Sequence, residues 1–418
     1  MMDGRSVVSV AVGSLVARAQ EFVGCATPRR QTTVHMPSPT KAKRGGSSGR
    51  SSSSEVLYFE SYELHNEREI HYNTRYDNHL FTVSINYHQA FPEEWATAPP
   101  TDLFLGLGMA VISHVWSAVC TPVIIVKAGH LTSDEVAFWQ ETYTKTLVEH
   151  FLVNQIEDLG GGGGLVVEIR VDAPPQASTT APPSALAPAP ASESPASADT
   201  SPWSTAASDA SRVRCLVPLG GGKDSATVLE LVKRAGCGGV VPFFLSDPEG
   251  EFADSWRYEA ICDLAGCEAP LVADFAFNSA NWRALQKVRK LTPNGAKWDD
   301  SARLWACLVA FAASLGARLR SCDHVAVGNE RSANLGNGVS WGGYEVNHQY
   351  DKSFAYEAHM HAYLKSRGGP YFFSALQPLW DVQVALALSP RLTAHPPLHP
   401  LTLAFTATLD PDADPGCG

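Results

Sequence analysis

The chain has 418 residues, with 32 Lys or Arg against 43 Asp or Glu and a formal charge of −11. That length leaves room for two or three domains, each able to bury a core. The acidic balance argues against a general nucleic-acid binder, whose surface would be basic, and the nine cysteines form no C-x-x-C pair that would indicate a zinc ribbon or a thiol-exchange site.

In chain order, residues 1–54 hold eight Lys or Arg and only two acids. An acid-poor, Ser- and Arg-rich N-terminus reads as an organelle transit segment, with an ordinary tail as the competing reading. Residues 55–172 read as an α+β N-terminal domain. Within it, 56–59 and 80–85 alternate as strands, with a turn at 77–79. Helices are expected near 102–119 and 133–154, the second capped by Ser133 and carrying Phe138, Tyr143, Leu147 and Phe151 on one side. Residues 122–127 and 165–171 read as strands. The apolar run 103–120 is short, contains His114 and is bracketed by prolines, so a buried helix is expected there and no membrane insertion.

Residues 173–211 are Ala, Pro, Ser and Thr almost throughout and read as a disordered linker. From 212 the pattern alternates. Residues 213–219 have the composition of a buried strand. A helix follows over 226–235, placing Val228, Leu231, Val232 and Ala235 on one face and stopping at Gly236. A second strand at 239–245 ends at Ser246-Asp247, helices are expected at 255–266 and 301–318, and a strand at 324–327 runs into Gly328-Asn329-Glu330. The alternation predicts an α/β, doubly wound parallel sheet over 212–388, preceded by the smaller domain and followed by an atypical tail at 389–418. Ligands of such sheets sit at the carboxyl ends of the strands.

The richest motif lies between the first strand and helix of that region: Gly220-Gly221-Gly222-Lys223-Asp224-Ser225. Strand, glycine loop and helix together form a phosphate cradle, since glycines free the backbone amides and the helix adds its positive end. A Walker A loop would need Gly at the place of Val217 and Ser or Thr at that of Asp224, and Gly-x-Gly-x-x-Gly is not satisfied. A bland glycine turn is the competing reading. Two polar strings stand out downstream, 329–334 (NERSAN) and 346–353 (VNHQYDKS), followed by the pair Tyr356-Glu357.

GGGKDS resembles the PP-loop of the N-type ATP pyrophosphatases, with Gly220 where Ser is usual. In the order GGGKDS, NERSAN, VNHQYDKS, the motifs resemble the bacterial family of ATP-dependent epimerases acting on UDP-N-acetylmuramoyl-L-alanyl-L-glutamate. The resemblance spans about 213–385. It implies a PP-loop fold, ATP and Mg2+ as cofactors, and a small-molecule substrate whose carboxylate is adenylated before its terminal L-Glu is inverted. The roles it suggests are these. Gly220, Gly221, Gly222 and Ser225 hold pyrophosphate, with Lys223 adding charge. Asp224 binds or orients magnesium, and Asp247 lies on the same edge. Lys352 and Arg331 meet phosphates or a substrate carboxylate. His348 and Tyr350 are candidate proton carriers and Glu330 a candidate base. The family's N-G-H string reads Asn294-Gly295-Ala296 here. If the N-terminus is a transit segment, the resemblance points to a plastid retaining peptidoglycan synthesis, and otherwise to the cytoplasm. A ligase or amidotransferase on the same scaffold, or a nucleotide-binding relic, are the alternatives; the oligomeric state is not legible.

Overall fold

The computed structural model describes residues 56–160, 163–172, 213–246, 261–263, 265–277, 279–288, 298 and 304–388. The transit segment, the linker, the tail, Asp247 and the 294–296 string lie outside these, and of the helix expected at 255–266 the described residues 261–263 and 265 are helical.

Ten strands form one mixed sheet in the order β12-β9-β6-β7-β8-β3-β2-β1-β4-β5. The first three, β1 (Val56–His65), β2 (Glu69–Tyr76) and β3 (His79–Tyr87), make an antiparallel meander. The turn between β2 and β3 places Asp77 at φ 53°, as a tight connection there requires. β4 (Val123–Val126) pairs parallel with β1, and β5 (Glu168–Val171) pairs parallel with β4. The strands β6 (Arg214–Pro218), β7 (Gly239–Ser246), β8 (Leu271–Phe277), β9 (His324–Glu330) and β12 (Tyr371–Leu376) are mutually parallel. β3 joins β8 antiparallel, Val83 facing Phe277 through Tyr87 facing Ala273, so the strands of the two expected domains share one sheet. A separate two-stranded hairpin comprises β10 (Ser340–Trp341) and β11 (Tyr344–Glu345).

Within the parallel part the chain starts at β6, steps outward to β7 and β8, then returns to the other side of β6 for β9 and β12. The direction of winding reverses between β6 and β9. Such a switch point leaves a crevice at the carboxyl ends of the two strands.

Two apolar layers sandwich the sheet. One contains α1 (Thr101–Val119), α2 (Ser133–Thr146), α6 (Trp305–Leu319) and α7 (Phe354–Ser366), packed on Leu216, Val325, Val327 and Phe372. The other is built on α4 (Lys223–Arg234) against Cys215, Val217, Ala326, Phe373 and Ala375, with Val384 of α8 (Asp381–Leu388) included. Helices α3 (Val148–Val153) and α5 (Ser279–Val288) are also present.

Helix α1 meets the length and hydropathy of a membrane span, yet 89% of its apolar window is buried inside the protein. Its glycines explain the fit: a Cβ on Gly108 would come within 2.5 Å of the Phe59 ring, and one on Gly106 within 2.7 Å of Phe311. The expected helix over 133–154 is two, broken at Leu147 (φ −97°, ψ 9°). Its N-cap is Thr132 rather than Ser133, because Thr132 stands three residues before Glu135 and the two close a reciprocal capping box. Strand β9 runs three residues past its expected end, since β12 continues the ladder as far as the Leu376–Glu330 pair.

Candidate active site

The glycine loop follows β6 directly, and α4 begins at Lys223, so Lys223, Asp224 and Ser225 form the first turn of the helix. Gly222 is the N-cap and brings no side chain to cap the turn, which leaves first-turn amides available to an anion. Gly221 holds a left-handed φ of 81°, open to glycine at no cost. A Cβ on Gly220 or Gly222 would meet nothing within 4 Å, so there is open space beside the loop. Gly328 of β9 is constrained in the opposite sense: its Cβ would lie 3.0 Å from the Asp224 carbonyl carbon. The absent side chain lets β9 and the start of α4 close on each other.

Four charged side chains gather at this point. Lys223 Nζ lies 2.7 Å from Asp224 Oδ1 and 2.5 Å from Asp381 Oδ1 at the start of α8. Partial burial pulls the ammonium pKa down, but the bonds to the two aspartates outweigh it and hold the pKa above its ordinary value. Glu330, at the end of β9, has its pKa raised, first by burial and then by the charges of Asp381 and Asp224, with Ser332 and Lys223 opposing. The Ser332 hydroxyl is near enough to moderate that shift, yet neither it nor Glu330 Oε2, both sealed from solvent, completes a hydrogen bond among the described residues. A lysine beside open space, flanked by carboxylates and a partly desolvated glutamate, can clamp an anion and exchange a proton.

The other expected residues divide into two groups. Ser225 Oγ donates to Gly222 O at 3.0 Å, bracing the loop. Tyr350 is buried and donates to Glu141 Oε1 at 2.9 Å; burial first, and then this carboxylate, push its pKa far above the ordinary phenol value. That places it as a strut between the 346–353 segment and α2. Arg331, His348 and Lys352 are exposed. The Arg331 guanidinium lies 5.1 Å over the Trp380 ring, and its amide donates to Leu379 O, which sets the end of β9 beside the loop leaving β12.

The remaining polar residues of the two strings stitch this edge together. Asn334 donates to Gln377 Oε1 at 2.8 Å and accepts from Phe354 N at 2.6 Å. Asn347 donates to Ala333 O at 2.9 Å, and Gln377 Nε2 donates to Lys352 O at 3.2 Å. Asp351 is buried and accepts from Cys307 N at 3.1 Å, capping in trans the first turn of α6, whose own N-cap Leu304 has no capping side chain. Burial raises its pKa to about 6, against the hydrogen bond from Cys307 N. Ser353 caps α7 by accepting from Tyr356 N. Asp381, Gln377 and Trp380 were not singled out from sequence; they follow β12 and carry no motif.

Residues 50–248 and 305–374 match the family model described as the MurL N-terminal domain. The chain is 30% identical over 189 residues to the UDP-N-acetyl-alpha-D-muramoyl-L-alanyl-L-glutamate epimerase of Xanthomonas oryzae pv. oryzae, covering 44% of this chain and 38% of that protein. It is 32% identical over 180 residues to the protein of the same name from a Micromonospora species, covering 42% of this chain and 36% of that one. The matched stretch thus spans well under half the length of either relative. No solved structure matches the chain.

Proposed function

The chain belongs to the MurL N-terminal domain family, and from that premise we propose that it is an ATP-dependent epimerase of UDP-N-acetylmuramoyl-L-alanyl-L-glutamate. The name of the two relatives supplies the substrate. The observation that carries the reading for this chain is the meeting of Lys223, Asp224, Asp381 and Glu330 at the β6–β9 switch point, beside a glycine loop with open space next to it. The strand order and the loop at the end of β6 also favour a PP-loop fold.

An α-hydrogen beside a carboxylate resists removal, because the product would hold two adjacent negative charges. Attack of that carboxylate on the α-phosphorus of ATP, with pyrophosphate leaving, converts it to a mixed anhydride and cancels its charge. Loop amides and Lys223 take the phosphates, and Lys223 must then exchange an aspartate partner for phosphate oxygen. Magnesium suits a site of one or two carboxylates completed by phosphate; Asp224 and Asp381, sharing one lysine, would hold it, and it would neutralise charge on the departing pyrophosphate. Glu330 takes the α-proton. A proton returned from the other side gives the D centre, and water then cleaves the anhydride to free carboxylate and AMP. Arg331 and Lys352, both exposed on this edge, suit the carboxylates and diphosphate of the substrate.

The test incubates the full chain with ATP, Mg2+ and the UDP-muramoyl dipeptide, following AMP, pyrophosphate and glutamate chirality. Substrate-dependent AMP with D-Glu is expected. AMP released with consumption of an added amine and no inversion would instead establish a ligase.

A further inference from the structure

Between Tyr350 and Tyr356 the chain alternates between burial and exposure. Tyr350, Asp351, Ser353 and Tyr356 are buried, whereas Lys352 and Phe354 face solvent. Ser353 between them is extended (φ −73°, ψ 158°), and side chains on either side of an extended residue turn to one face. A lysine and a phenylalanine therefore emerge together. Phe354 is 56% exposed, a poor place for a large apolar ring unless a ligand covers it.

The backbone beneath the ring is fixed. Ser353 caps α7, and the Phe354 amide, which the first turn of the helix leaves without an intrahelical partner, donates to Asn334 Oδ1 at 2.6 Å. Asn334 Nδ2 in turn donates to Arg331 O at 3.0 Å. Leu335 follows Asn334 directly and is 55% exposed. Two exposed apolar side chains, Phe354 and Leu335, and two exposed cations, Lys352 and Arg331, thus rise from segments tied together by one asparagine.

These groups fall in an order that starts at the glycine loop. Lys223 pairs with Asp381 at 2.5 Å, and the Trp380 ring just before Asp381 lies 5.1 Å from the Arg331 guanidinium. Arg331 leads to Asn334, and Asn334 holds Phe354. A UDP-muramoyl dipeptide carries its chemistry in the same order: the reacting carboxylate at one end, the diphosphate farther along, and a flat pyrimidine at the other end. Phosphate oxygens suit Arg331 and Lys352. The base suits an exposed ring, because every base has a π-face that an aromatic side chain can stack on.

We propose that Phe354, with Leu335 of the joined segment, is the platform on which the uracil ring stacks, so that residues 331–335 and 352–354 form a nucleoside diphosphate subsite. The choice of ligand rests on the epimerase reading above. Phe354 touches no reacting atom in this arrangement. It determines specificity, separating a UDP-linked muramoyl dipeptide from one that lacks the nucleotide.

The experiment titrates the full chain with UDP, and separately with pyrophosphate, by calorimetry, with α,β-methylene-ATP and Mg2+ filling the glycine loop. The wild type is expected to bind UDP more tightly than pyrophosphate. Because the ring is exposed, its removal leaves no cavity in the core. Phe354→Ala is expected to weaken UDP binding about 10–100-fold and to leave pyrophosphate within about twofold, whereas Phe354→Tyr keeps UDP within about threefold of wild type. Unaltered UDP affinity in Phe354→Ala would overturn the proposal. So would an equal loss for UDP and pyrophosphate, or a Tyr variant as weak as the Ala variant. Glutamate chirality judges the epimerase reading separately. A wild type that binds UDP through Phe354 but never inverts its substrate would sink that reading and leave the subsite standing. Inversion by a chain whose UDP binding ignores Phe354 would do the reverse.

Discussion

Lys223 Nζ stands 2.5 Å from Asp381 Oδ1, an ion pair that joins the first residue of α4 to the first residue of α8 across 158 residues of chain. With Asp224 on its other side, the lysine is held at the mouth of the glycine loop by two carboxylates. Its charge is therefore kept in place before any phosphate arrives. Lys223→Ala is expected to lower substrate-dependent AMP formation by about 10²–10³-fold, the scale of losing one preorganised charge or donor from a transition state. Asp381→Asn leaves the Asp224 contact but removes a carboxylate proposed to hold magnesium, and is expected to lower AMP formation by more than about tenfold. Steady-state AMP release measures both, and an unimpaired Lys223→Ala enzyme would remove the loop from the mechanism.

Gly328 sets how closely β9 approaches the loop. Gly328→Ala would press a methyl group against the Asp224 backbone, 3.0 Å away. A backbone neighbour yields poorly, so the expected cost is about 1–3 kcal/mol of stability together with a raised KM for ATP. Urea unfolding and ATP kinetics report the two effects separately.

Two carboxyls, the buried Asp351 and the half-buried Glu357, make stability fall as pH rises. Asp351 moves from 3.8 to about 6 on folding and Glu357 from 4.5 to about 7. In each case folding favours the protonated form, so the contribution is complete below the unfolded pKa and is lost as pH climbs through the folded one. The window runs from about pH 4 to about pH 7, and each group is worth on the order of a few kcal/mol across it. Asp351→Asn keeps an oxygen for Cys307 N and removes the titration. Its urea midpoint is expected to decline less than wild type between pH 5 and 7.

Arg367 ties the end of α7 to the starts of α1 and α2. Its Nε and Nη2 donate to the two oxygens of Glu135, Nη1 donates to Asp102 Oδ1 at 2.6 Å, and the side chain is only 9% exposed. Arg367→Ala would strand the buried Glu135 charge and is expected to cost about 3–5 kcal/mol. A Glu135→Gln, Arg367→Met double variant is expected to recover part of that loss in the same unfolding assay.

The parts of this arrangement carried by local pattern were legible in the sequence. The strand before the glycine loop, the helix after it and the edge formed by β6, β7 and β9 follow from apolar runs and punctuation by glycine. The antiparallel join of Tyr87 to Ala273 has no local signature, because it is a pairing between residues far apart in the chain. Asp381 was invisible for the same reason. The strings around Asn334 and Asp351 were legible as unusual but not in role: much of their polarity goes into fastening loops and capping α6, and hydrogen-bond partners cannot be read from spacing. Tyr350, expected among the proton carriers, has its hydroxyl committed to Glu141.

The most direct test of the account asks whether the substrate carboxylate is adenylated at all. The UDP-muramoyl dipeptide is labelled with 18O in the α-carboxylate of its terminal glutamate and turned over with unlabelled ATP, and the AMP is examined by mass spectrometry. If an acyl adenylate precedes inversion and water attacks its carbonyl carbon, each AMP carries one 18O in its phosphate, in step with D-Glu formation. AMP free of label, alongside D-Glu, would show that ATP cleavage and inversion proceed without a bond between carboxylate and phosphorus, and would contradict the mechanism.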